Sequence, residues 1–235
     1  MYQGLLVRRG VSRPQGAVLV LHGGHEHGLR RPSRLFNAAA FRMRPFLRAL
    51  SREPGGSHIV LAEARYRHRG WNGDRADAAR DAAEAVAELS RRTGGAPTVL
   101  VGHSMGGRAA LRAAGHPSVT GVVALAPWCP PGEPVAQLAG TRLVFVHAEA
   151  DRITSPGESL RMATEARAAG AEVCRYLLPG GDHAMLRDAG LWHALTAAAT
   201  YGLLGLTPLP PGATSAFGLP ADSSDGLALS AAAAS

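Results

Sequence analysis

Seven short apolar segments constrain the fold most. They read GLLVRR from Gly4, AVLVLH from Ala17, HIVLAEA from His58, TVLVGH from Thr98, VVALA from Val122, LVFVHA from Leu143 and EVCRYLL from Glu172. They are rich in Val, Ile and Leu and mostly do not alternate with polar residues. Strands buried on both faces of a parallel sheet have this pattern. Helical periodicity fills most of the gaps. In Asp74 to Arg92, residues Ala78, Ala82, Val86 and Leu89 recur at three- and four-residue spacing before the Gly94-Gly95 stop. Ser159 to Ala169, ended by Gly170, and Leu186 to Leu204 read the same way. Phe36 to Leu50 does too, with a break expected at Pro45. The alternation predicts an α/β fold, a doubly wound and mostly parallel sheet flanked by helices.

A length of 235 residues suits one such domain with a core able to fold without staples. From Thr207 the composition shifts to Pro, Ser, Ala and Gly. The expected organisation is a folded domain over 1–205 and a disordered tail over 206–235. The formal charge is +7, carried without a single lysine. The arginines are scattered along the chain and not interleaved with aromatics, which argues against nucleic acid as a partner. No apolar run approaches the about 18 residues that cross a bilayer, and the first residues lack a secretory pattern. Cys129 and Cys174 form no C-x-x-C pair and are too few for a disulfide framework. These features together predict a cytoplasmic protein without a membrane span, and they leave its oligomeric state open.

The chemistry centres on VGHSMGGRAA, residues 101 to 110. Gly102-His103-Ser104-Met105-Gly106 fits G-x-S-x-G and sits between a predicted strand and a predicted helix. In a nucleophile elbow the serine backbone is strained and neighbouring chain passes close to it, so the residues two before and two after must be small. Both are glycine here. The turn also puts Ser104 at a helix N-terminus, where backbone N–H groups favour negative charge. A serine nucleophile needs a base, and the base an orienting acid, in the chain order serine, acid, histidine on such a sheet. LVFVHAEADRITSP supplies Glu149 and Asp151 after one strand, and YLLPGGDHAML supplies Asp182 and His183 after the next.

HGG, GHSMGG, DRITSP and GGDHAML together resemble an α/β-hydrolase of the compact, lid-less serine esterase and dienelactone hydrolase-like kind, over roughly residues 3–205. The resemblance implies Ser104 as nucleophile, Asp151 as acid and His183 as base. It implies an oxyanion hole from the backbone N–H groups of Met105 and Gly24, with His25 as the neighbour that could serve instead of Gly24. The usual glycine-acid pair is Ala148-Glu149 here, which leaves Glu149 as a rival acid. His193, in a helical run, and His147, on a buried strand, are rivals of His183 more consistent with packing.

HGGHEHG has residue types that suit zinc or iron, yet the loop is fully accounted for as an oxyanion loop. No metal and no cofactor is expected. The connection after VVALA is too short for a lid domain, so the cleft should be open. His25, Trp128 and Trp71 are the candidate substrate contacts, with Arg108 structural. The expected activity is cleavage of an ester or related acyl bond of a small molecule through an acyl-enzyme. A thioesterase or acyltransferase would use the same triad, and a non-catalytic hydrolase-like binding protein is the reading from another class.

Overall fold

The structure, a computed structural model, describes residues 4–33 and 36–231. All seven predicted strands form, as β1 (Leu5–Arg9), β2 (Gly16–Leu21), β3 (Ile59–Ala64), β4 (Thr98–His103), β5 (Val119–Leu125), β6 (Arg142–Ala148) and β7 (Glu172–Leu178). An eighth, β8 (Leu229–Ser230), was not anticipated. The sheet order is β1-β3-β2-β4-β5-β6-β7-β8. Only β1 runs antiparallel to its neighbour. The chain moves outward from β2 to β3, then crosses back to β4. The β2/β4 boundary is therefore the switch point, where such sheets open a crevice at the strands' carboxyl ends.

The helices are α1 (Ala38–Arg42), α2 (Arg44–Arg52), α3 (Asp77–Thr93), α4 (Met105–Ala113), α5 (Pro156–Ala168), α6 (Ala189–Leu203) and α7 (Ala213–Phe217). Adjacent residues of one strand enter opposite cores. Leu19 and Leu21 of β2 join the layer holding α3, α4 and α5. Val18 and Val20 join the layer holding α2 and α6, where Phe46, Trp192 and Leu195 pack. Both faces are dry, so the strands had no reason to alternate. The break predicted at Pro45 falls between α1 and α2, where Pro45 occupies the first turn of α2 and its missing N–H costs nothing. Helix α3 starts three residues later than predicted. Asn72 and Ala76 are both left-handed and hold a 3₁₀ turn ahead of it.

The segment expected as a disordered tail is instead packed as far as Ala231, and residues 232–235 lie outside the described residues. Helix α7 buries Ala213 and Ala216, and Leu227 is buried beyond it. β8 then pairs with β7, Tyr176 opposite Leu229. Two buried arginines draw this segment in. Arg167 donates to the carbonyls of Ser223 (2.6 Å) and Asp225 (2.8 Å), and Arg175 to that of Leu227 (2.9 Å). Tyr176 donates its hydroxyl proton to Pro211 O at 2.8 Å. Composition failed as a guide because anchored leucines and borrowed carbonyls, rather than a high apolar fraction, fix the segment. Deleting residues 208–235 should remove the Ser223, Asp225 and Leu227 acceptors, leaving Arg167 only Val173 O and Arg175 only Ser159 Oγ and Pro156 O, and lower the thermal unfolding midpoint by about 5–10 °C. Differential scanning calorimetry of the full and shortened chains checks this.

Candidate active site

Ser104 joins β4 to α4 with φ 55° and ψ −119°, a conformation that costs a non-glycine residue strain. Two hydrogen bonds hold the turn. Ser104 N–H donates to Leu125 O at 3.0 Å, and Trp128 N–H donates to Ser104 O at 3.1 Å. The flanking glycines are obligatory by crowding. A Cβ on Gly102 would meet the Gly106 carbonyl and lie 2.7 Å from Gly107 N. A Cβ on Gly106 would meet Leu21 O and lie 2.5 Å from His22 O.

The same crowding brings the loop after β2 to the serine. A Cβ on Gly23 would lie 3.5 Å from Ser104 Cβ. One on Gly24 would run into the Met105 thioether, 2.7 Å from Sδ. Gly24 and Met105 are thus neighbours, and among the described residues neither backbone N–H has an acceptor within the protein. The His25 N–H is different, because it donates to Arg69 O at 3.0 Å. That bond removes His25 as the alternative donor.

After β6 and β7 the chain pairs Asp151 with His183, Nδ1 to Oδ2 at 2.8 Å. The Asp151 carboxylate is fully buried and the His183 side chain 15% exposed. Asp151 Oδ1 also accepts from the Ile153 and Thr154 amides at 2.8 and 3.0 Å, and Oδ2 from the Thr154 hydroxyl at 3.0 Å. Burial on its own would raise the pKa of this acid. Bonds from His147, His183 and the two amides overcome it and hold the carboxyl far below the usual range. Glu149, the rival acid, is exposed and makes no bond to His183.

His147 is more than packing. Its Nε2 lies 3.3 Å from Asp151 Oδ2, fully buried, so Asp151 sits between two imidazoles. His193 packs edge-on against Phe46 at 4.6 Å.

His103 and Thr154 were not singled out in the sequence. The His103 ring lies 4.9 Å from that of His183, and its Nε2–H donates to the His183 carbonyl at 2.9 Å. Complete burial, reinforced by His183, pushes its pKa down to about 3. It is therefore a neutral prop under the loop that carries His183. Thr154 Oγ1 lies 3.1 Å from His183 Nδ1 as well as bonding Asp151. The signal for His103 was its parity on β4: it shares the sheet face of Val99 and Val101, the face beneath His183. Ser104 and His183 make no direct hydrogen bond with each other, and catalytic bonds of this kind often close only around substrate.

A family model described as serine aminopeptidase, S33, matches residues 12–145, more than half of the chain. The chain is an α/β-hydrolase of that family. The match takes in the elbow and ends before Asp151 and His183. Among solved structures, a protein of unknown function from Agrobacterium tumefaciens, described as an α/β-hydrolase, superposes with a TM-score of 0.64 at 14% identity, over 88% of this chain and 94% of its own. A serine hydrolase without a lid from Xanthomonas campestris gives 0.56 at 18% identity, over 88% and 89%. Est1E from Butyrivibrio proteoclasticus gives 0.59 at 11%, over 86% and 93%. At such identities the likeness is one of fold. No curated protein matches the chain.

This hydrolase has no lid domain either. Between β5 and β6 its only helical piece is the single turn Ala136–Leu138. Trp71 does not rim the cleft: it is 2% exposed, with the Arg108 guanidinium 3.8 Å from its ring centroid. Arg108 also covers Trp128 at 4.3 Å and is anchored to Glu133 at 2.9 Å, a structural role. Trp128 is half-buried beside the Ser104 carbonyl it bonds, and His25 is exposed with Nε2 3.2 Å from Arg69. No helix among the described residues is long and apolar enough to cross a membrane, and no three His, Cys, Asp or Glu side chains among them group as metal ligands.

The depressed His103 pKa fixes a sign. The unfolded chain takes up this proton near pH 6.5 and the folded chain only near 3, so stability is full above about 6.5 and falls as pH drops. Unfolding free energy should decline by up to about 1.4 kcal/mol per pH unit in that window. Urea titrations across pH 4–7 should show a shallower slope in His103→Gln. The loss below pH 4 that protonation of Asp151 causes should remain.

Proposed function

We propose that this α/β-hydrolase cleaves an ester or related acyl bond of a small molecule through an acyl-enzyme on Ser104. The observation that carries the reading is the 2.8 Å Asp151–His183 bond, held at the strand ends beside a strained serine elbow. His183 Nε2 takes the proton from Ser104 Oγ as the oxygen attacks the carbonyl carbon. Asp151 fixes the tautomer with the proton on Nδ1 and stabilises the imidazolium. Negative charge developing on the carbonyl oxygen falls between the Gly24 and Met105 N–H groups, which have nothing else to bond. His183 then protonates the leaving group, and in the second half it activates water against the acyl-enzyme. Each of these roles is filled by the chain's own groups.

The family description raises aminopeptidase activity as a second reading. That reaction needs a carboxylate at the cleft to hold the substrate's terminal ammonium. Asp151 is fully buried and committed to His183, and Glu63, the acid in the cavity beside the oxyanion loop, is paired with Arg8. The arginines of that cavity favour an acyl substrate without a cationic end.

Ser104→Ala should lower kcat/KM for p-nitrophenyl acetate by about 10⁴-fold or more, and Asp151→Asn by about 10⁴-fold. A fluorophosphonate probe should label the parent chain and not Ser104→Ala. Full activity in Ser104→Ala would overturn the reading.

A further inference from the structure

A cavity of about 500 Å³ lies on the α1–α2 side of the oxyanion loop, over the ends of β2 and β3. The proposed chemistry does not use it, and none of His25, Trp71 and Trp128 lines it. Its volume is that of a ligand site. Its inner wall is His22, one residue before Gly23, whose backbone abuts Ser104. Leu6, Ala40, Phe41 and Ala64 give it an apolar stretch.

The charge on its walls is one-sided. Arg8, Arg31, Arg44 and Arg65 line it against a single acid, Glu63. Glu63 is consumed by its ion pair with Arg8. Arg31 and Arg44 have no carboxylate partner among the described residues. The Arg44 guanidinium stacks 4.1 Å above the Phe41 ring, which orients it while leaving its N–H edge available. His22 is kept neutral by burial, which lowers its pKa. Asn37 Nδ2 stands 3.4 Å from its Nε2. Scattered in sequence, these arginines converge through the fold. Apolar side chains set beside unpaired guanidiniums, in a cavity walled by the residue before the loop that abuts Ser104, suit a chain of methylenes that ends in an anion.

We propose that this cavity is the acyl-binding site, and that it selects acyl groups whose far end carries an anionic group such as a carboxylate. The inference rests on Ser104 as nucleophile for its kinetic test and not for its binding test. p-Nitrophenyl hemiadipate and p-nitrophenyl hexanoate have acyl chains of equal carbon number and differ in the terminal charge. The parent enzyme should favour the hemiadipate in kcat/KM by about tenfold, as one partly exposed charge-assisted contact allows. The preference should shrink as ionic strength rises. It should vanish in Arg31→Gln/Arg44→Gln and persist in Arg48→Gln, a substitution outside this cavity. Equal rates for the two esters in the parent, a preference that survives the double variant, or one lost equally in Arg48→Gln would overturn the proposal. Titration calorimetry with adipate separates this failure from that of the nucleophile. Ser104→Ala should bind adipate as the parent does, and the double variant at least about tenfold more weakly. No adipate binding to Ser104→Ala or to the parent overturns the cavity assignment, whatever the esters do.

Discussion

The site depends on one crowded crossing at the carboxyl ends of β2 and β4. There the first turn of α4 presses so closely on β2 that a methyl group at Gly106 would collide with the Leu21 and His22 carbonyls. That contact does two jobs at once. It forces Ser104 into its strained turn, and it sets the loop of Gly23 and Gly24 against Ser104 and Met105. The two N–H groups proposed for an oxyanion hole are thus held by packing against the sheet core and not by a loop that must close. Donors held before charge develops need no reorganisation when it does.

A second constraint is electrostatic. Asp151 is a buried carboxylate, and such a group persists only if its oxygens are satisfied. Two amides, a hydroxyl and two imidazoles supply that satisfaction. The cost of burial is offset locally, and the acid stays charged through the pH range in which His183 would work. His103 contributes in the opposite way. Its neutrality keeps a positive charge away from the neighbouring His183 ring.

The fold was legible because its signals are local. Unalternated apolar runs follow from two dry faces, and Pro45 breaks a helix whatever surrounds it. The elbow glycines and the pairing of Asp151 with His183 were legible because chain order and strand ends limit the choices. What escaped was set by tertiary contact. His147 and Thr154 matter only because β6 and its following loop wrap Asp151. Trp71 reads as a loop aromatic, and only the stacking of Arg108 shows it to be core. The arginines of the cavity come from four stretches of chain, so no window could have gathered them. One clue was available and unused: Arg175 in EVCRYLL is a charge in a strand buried on both faces, which requires acceptors from elsewhere.

Those acceptors have a consequence for how the molecule comes into being. Arg175 finds the Leu227 carbonyl 52 residues further along the chain. During synthesis β7 can be made, and its inner edge zipped to β6, well before that segment leaves the ribosome. Throughout this interval its outer edge offers unpaired backbone groups to any neighbouring nascent chain, and Arg175 lacks its Leu227 acceptor. The closing segment is thus a late shield, and its arrival covers part of an edge that until then is open to strand exchange.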